Sequence, residues 1–140
     1  KSVCPLWPAD IPPALCRKAR PSAATYTTSR DTIRSGDLLF VSGQVGSRSD
    51  GSPEPDFGRQ VQLAFDNLRA TLNAAGCTFD DIVDVTTFHT DPENQFETIM
   101  AVKNQVFGTP PYPNWTALGV NWLAGFDFEI KVIARIPEAA

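Results

Sequence analysis

The stretch DFGRQVQLAFDNLRATLNAAG, residues 56–76, places Phe57, Val61, Ala64, Phe65, Leu68, Leu72 and Ala75 mostly three or four positions apart. That spacing predicts an amphipathic helix of about five turns, long enough to cover one face of a sheet. Asp56 is its expected N-cap, and Gly76 its C′ residue. Upstream, Ser35-Gly36 reads as a turn and Leu38–Val41 as a short buried strand ending at Ser42-Gly43-Gln44, followed by a polar loop over Gly46–Pro55. Downstream, Ile82–Thr90 is rich in Val, Ile, Thr and Phe and reads as a strand. A second helix is expected next, with Asp91 as cap and Pro92 at its first position. Phe96, Ile99, Met100, Val106 and Phe107 give it an apolar face, and Gly108 and Pro110-Pro111 end it. Two more strands follow, over Trp115–Trp122 and over Phe128–Arg135.

The resulting order, β(β)αβαββ, predicts a two-layer α+β domain with both helices on one face of a mixed sheet. Leu38, Phe40, Val83, Val85 and Phe128, or their neighbours, would then leave apolar area on the face without helices. Such area usually finds a partner, so homo-oligomerisation through the open face is expected.

Composition agrees with one ordinary globular domain: 140 residues, 42% hydrophobic and 20% charged. No run of roughly 18 or more apolar residues exists, so no transmembrane helix is expected. Pro5, Pro8, Pro12 and Pro13 interrupt every stretch that would serve as a signal-peptide core. A cytoplasmic protein with no membrane partner is the expectation. The net charge is −4, and the acidity is concentrated after residue 34, where fourteen acidic side chains outnumber six basic ones. Nucleic acid is therefore not an expected partner. Cys4, Cys16 and Cys77 with the single His89 form no zinc spacing and no disulfide framework, so neither metal nor cofactor is expected. Residues 1–32 carry five of the twelve prolines and no sustained period, and are set apart as a divergent segment with a short strand near Ala24–Thr28 as one option.

Several residues are candidates for chemistry. Glu129 lies in an alternating strand; it is either a solvated strand-face acid or a carboxylate that positions water, which requires partial burial to raise its pKa. The Ser42-Gly43-Gln44 segment allows close backbone approach to a ligand. Tyr112, Trp115 and Trp122, beside three prolines, read either as packing or as a flat wall for a planar ligand. His89 reads as structural, since no nucleophile motif accompanies it. Cys77, following a helix-ending Gly, reads as a small apolar core residue.

Taken together, the segments Gly36–Gln44, Ala64-Phe65-Asp66-Asn67-Leu68, Ala75-Gly76-Cys77, Asp81-Ile82-Val83, Phe88-His89-Thr90-Asp91 and Glu129–Ala134 resemble the Rid family, also called the YjgF or RutC family. The resemblance covers residues 33–137. It implies a chorismate-mutase-like (YjgF-like) homotrimer, with helices outside a central barrel and clefts between subunits that bind a small planar metabolite. It further implies hydrolysis of enamines and imines to ketoacids and ammonia, of the 2-iminobutanoate/2-iminopropanoate deaminase type; a non-catalytic binding or regulatory module is the alternative. Glu129 falls on the family's glutamate, and Ser42 and Gly43 on cleft residues; Gln44, Phe88 and Thr116 are assigned to the same ligand site. The sequence departs from the family at Trp115, which stands where deaminating members place a carboxylate-gripping Arg, and at Met100, which replaces an Asn. Ser29 falls nearest the position of a cleft Tyr.

Overall fold

A computed structural model describes residues 31–138. The proposed strand near Ala24–Thr28, Ser29, Cys4 and Cys16 lie outside the described residues. Five strands and two helices are arranged as β1 (Thr32–Ser35), β2 (Leu38–Val45), α1 (Phe57–Ala74), β3 (Ile82–His89), α2 (Pro92–Val106), β4 (Asn114–Gly119) and β5 (Phe128–Arg135). A short 3₁₀ turn, Phe79–Asp81, leads into β3. The sheet order is β1-β2-β5-β3-β4, with β3 and β4 parallel and every other pair antiparallel. This is the mixed α+β arrangement that the order of periodic segments predicts.

The ends of α1 follow from local chemistry. Asp56 accepts a hydrogen bond from the Arg59 N–H at 2.9 Å, which satisfies one of the free donors of the first turn. At the other end Gly76 adopts φ +78°. The Cys77 N–H bonds the Leu72 carbonyl at 2.9 Å and the Gly76 N–H bonds the Asn73 carbonyl at 3.1 Å, the pair of bonds that defines a Schellman end. Val61, Ala64, Phe65, Leu68 and Leu72 are fully buried against Leu39 and Val41 of β2 and Phe128, Ile130, Val132 and Ala134 of β5. Each large side chain so buried contributes about 1.5–3 kcal/mol before entropy is counted. Phe65 stacks on Phe128 at 6.0 Å between ring centroids, and Cys77 is buried as expected.

Gln60 sits in the apolar stripe of α1 and is also buried. Its amide donates to the Glu54 carbonyl at 2.9 Å and accepts from the Asp127 N–H at 2.8 Å. It thereby fixes the loop before α1 and the loop before β5 to one helix.

Four expected element ends need correction. The strand expected over Trp115–Trp122 stops at Gly119, because its parallel partner β3 ends at His89, opposite Gly119. Beyond it, Ala124 and Gly125 both turn with positive φ, and Trp122 is 75% exposed. β3 likewise excludes Thr90, since Pro92 has no N–H to continue a ladder and begins α2. β2 does not end at Ser42-Gly43-Gln44 but runs through it to Val45. Asp91 occupies the N-cap position of α2 without accepting from a helix N–H. Its carboxylate instead accepts from the Asn94 side chain at 2.8 Å, and the Gln95 side chain reaches back to the Asp91 N–H at 3.1 Å.

Candidate functional site

Directly paired residues in a sheet share a face, so the register sorts the candidate residues into two groups. Val85, Val132 and Val41 form one paired row with Trp115, and Thr87 and Ile130 another with Gln44; these rows face the helices. Phe88, Leu118 and Glu129 form a row on the opposite, open face, next to the row of Thr86, Thr116 and Lys131. Phe40 and Ile133 pair on that same open face, with Ile33 alongside Phe40. Ile33, Phe40 and Leu118 are exposed there, whereas Val85 and Phe128, also expected to leave apolar area open, are buried under the helices.

The open-face group is organised by a bulge. Val41 pairs with Val132 and Gln44 with Ile130, so Ser42 and Gly43 together stand opposite Lys131. Two residues against one is the signature of a β-bulge, which re-aims the strand locally. Its effect here is to bring the Gly43 backbone onto Glu129. A Cβ at position 43 would press into the Glu129 carboxylate and lie 2.9 Å from its Cγ, so only glycine leaves room for this approach. Ser42 is held by two bonds to the Asp31 carbonyl, one from its N–H at 2.9 Å and one from its hydroxyl at 3.2 Å.

Glu129 is half-buried, and burial raises its carboxyl pKa above the ordinary range, while attraction to Lys131 pulls the other way. Desolvation disfavours the charged form of an acid, and the nearby ammonium favours it; burial dominates. The site therefore holds a carboxylate with enhanced proton affinity, set on a glycine and flanked by Phe88.

The second group lies on the helix side. The Trp115 indole donates to the Thr87 hydroxyl at 3.2 Å, packs edge-on against Phe107 at 5.6 Å, and carries the Lys103 ammonium 4.8 Å from its ring centroid. Its one N–H is thus already committed within the chain. Thr87 in turn meets His89 Nε2 at 2.8 Å. The Thr87 hydroxyl has one proton and two lone pairs, so beside the indole N–H it can either donate to Nε2 or accept from it. His89 Nδ1 is buried without a partner among the described residues, and burial lowers the His89 pKa. Gln44 is turned toward α1, where its carbonyl accepts from the Thr71 hydroxyl at 3.4 Å and its amide donates to the Ser42 carbonyl at 3.0 Å. Met100 is half-buried on α2.

The structure therefore brings Gly43, Glu129 and Phe88 together, with Thr116 exposed on the same face. Within one chain it does not bring Trp115 or Gln44 to them. The Thr87–His89 pair escapes sequence reasoning; the only signal for it is the two-residue spacing that puts both side chains on one face of β3. Among the described residues no group of three His, Cys, Asp or Glu side chains is placed to hold a metal ion, and no helix is long and apolar enough to cross a membrane.

The sequence and this α+β topology match a known class of protein. Residues 17–136 match the family model described as Endoribonuclease L-PSP, and the chain belongs to that family, which is also the YjgF or RutC family. Among its relatives, the RutC family protein YjgH of Escherichia coli strain K12 is 84% identical over 106 residues, covering 76% of this chain and 81% of that protein. The putative reactive intermediate deaminase TdcF of the same organism is 37% identical over 103 residues, covering 71% and 79%. A solved structure of protein YjgH, 82% identical, superimposes with a TM-score of 0.76 and covers 78% of this chain and 84% of its own. The E. coli TdcF structure with bound serine gives a TM-score of 0.72 at 30% identity, covering 79% and 90%.

Proposed function

We propose that copies of this chain associate through the open sheet face as a homotrimer and bind a small planar metabolite between subunits, where Glu129 serves the hydrolysis of an enamine or imine. The observation that carries this reading is the half-buried Glu129 carboxylate, of raised pKa, resting on Gly43 within an apolar and uncovered sheet face. The names of TdcF and of a 2-iminobutanoate/2-iminopropanoate deaminase from Dermatophagoides farinae, 29% identical over 90 residues, support it. Because Glu129 and Trp115 occupy opposite faces of one sheet, a cleft containing both needs a second copy of the chain.

The chemistry asks for one proton acceptor. The enamine takes up a proton at carbon and gives one up from nitrogen to become the imine, and water adds to the imine carbon. Glu129 accepts a proton from that water and returns it to the nitrogen, giving the carbinolamine; transfer of the remaining hydroxyl proton to nitrogen then forms the carbonyl as ammonia leaves. Trp115 offers neither charge nor a free N–H to a substrate carboxylate, and a lost charge-assisted bond costs about 1.5–3 kcal/mol. For a ligand held by the indole alone, slow turnover of 2-aminoacrylate and preference for flatter, less charged ligands follow. The same observation favours the second reading, a binding module without turnover. RNA cleavage, suggested by the family's description, is disfavoured by the acidic charge balance after residue 34.

The deciding measurement is ammonia release from a panel of enamines and imines by the wild type and by Glu129→Gln, with mass from light scattering. A particle three times the 15.3 kDa chain and a rate loss of about 10²-fold or more in the variant are expected. Equal rates would return Glu129 to the role of a strand-face acid, and a monomer at micromolar concentration would remove the shared cleft.

A further inference from the structure

The last turn of α2 and the proline-rich segment after it enclose a concavity of about 370 Å³, lined by Lys103, Asn104, Phe107, Gly108 and Tyr112. That volume lies at the lower end of the range for small-molecule sites, about 300–1,000 Å³. Sequence alone accounts for its shape: Gly108 and Pro110-Pro111 end the helix and turn the chain so that Tyr112 returns beside it. Its walls combine two aromatic rings with one cation and one amide. Tyr112 is 60% exposed although it lines the concavity, an aromatic surface that no other described residue covers.

The cation is held in place, and no described carboxylate compensates it. The Lys103 ammonium sits 4.8 Å from the Trp115 ring centroid, a cation–π contact that orders its long stem. Of the described cations, Arg69 pairs with Asp66 and Arg135 with Asp37, but no carboxylate among the described residues lies within ion-pair distance of Lys103. The carbonyl end of α2 also lies here and repels negative charge. The Lys103 ammonium is the cation lining the concavity and the group that answers an anion there, with the Asn104 amide next in sequence.

We infer that this concavity is a binding site for a small aromatic carboxylate, its ring against Tyr112 and Phe107 and its carboxylate on Lys103. The site lies within one chain, on the helix side of the sheet. It goes beyond the function proposed above, because it uses neither Glu129 nor a second copy.

Benzoate is the probe, benzamide its uncharged counterpart, and calorimetry on the full chain the readout. Benzoate should bind, and benzamide about tenfold or more weaker. Lys103→Met keeps the apolar stem and should lose about ten- to a hundredfold in benzoate affinity; Lys103→Arg should retain binding, which separates loss of charge from loss of fold. Glu129→Gln should bind benzoate as the wild type does. Absence of benzoate binding, equal binding by Lys103→Met, or loss of binding in Glu129→Gln would each overturn the inference. The last result would place benzoate on the open sheet face instead. Loss of ammonia release in Glu129→Gln with benzoate binding intact would uphold both readings separately.

Discussion

Gly43→Ala tests the contact on which the candidate site depends. The three heavy atoms nearest to a Cβ at this position all belong to the Glu129 side chain: Oε1, Cδ and Cγ, the last at 2.9 Å. Gly43 does not occupy the left-handed backbone region, so the penalty comes from contact and not from φ. Either Glu129 leaves its rotamer, at about 0.5–1.5 kcal/mol, or the bulge shifts, at the about 1–3 kcal/mol typical of an overfilled site. Removing the opposing side chain should abolish that cost. In a Glu129→Ala background the same substitution should be neutral, or stabilising by up to about 1 kcal/mol through the less flexible unfolded chain. Urea denaturation of the wild type, both single variants and the double variant gives the coupling directly, and we expect about 1–3 kcal/mol. In Gly43→Ala the displaced carboxyl should also titrate nearer the ordinary range, as followed by carbon NMR. Equal penalties for Gly43→Ala with and without the Glu129 side chain would refute the claim that glycine is there to admit that carboxylate.

Two further predictions concern pH. Burial raises the Glu129 pKa in the folded chain, so folding favours the protonated form, and the stability this gives below the ordinary carboxylate range is lost as pH rises through the raised value. Glu129→Gln, always neutral, should therefore melt above the wild type at pH 7 and lose that advantage below about pH 4; an advantage independent of pH would exclude the carboxylate as its source. His89 shifts downward through burial, so the folded chain resists protonation and stability should fall as pH drops below about 6.5, where the unfolded chain takes up the proton first. His89→Gln should flatten that part of the profile, and an unchanged slope in thermal melts would assign it to other groups.

The helices were the most legible part of the chain, because an apolar spacing of three and four over Phe57–Ala75 states both the element and its buried face. Strand positions were legible from β-branched runs, but their ends were not. Gly119 terminates β4 because β3 ends beside it, a fact set by pairing and invisible to the local sequence Trp115–Trp122. Glu129 and Gly43 were each found in sequence, Glu129 by alternation and both by family resemblance. Their contact was not, since it depends on a one-residue bulge that changes which way Gly43 faces. Trp115 illustrates the same limit from the other side. Its position in the sequence pointed to a ligand wall, while its face of the sheet, its bond to Thr87 and its contact with Lys103 depend on the parallel register of β3 and β4.

That register also ties the proposed association of copies to the proposed chemistry. The Glu129 row and the Trp115 row project from opposite faces of one layer, so no small ligand reaches both within a single chain. Ile33, Phe40 and Leu118 leave the Glu129 face apolar and uncovered, and a second copy seated there would withdraw water from the carboxylate. Burial is already the leading cause of its raised pKa, and Lys131 the opposing one. Association that covers Glu129 more than it orders Lys131 therefore strengthens the proton affinity on which general-base chemistry draws, whereas association that presses Lys131 closer weakens it. The proton affinity of Glu129 at high and low protein concentration thus reports both the face used for assembly and the readiness of the site.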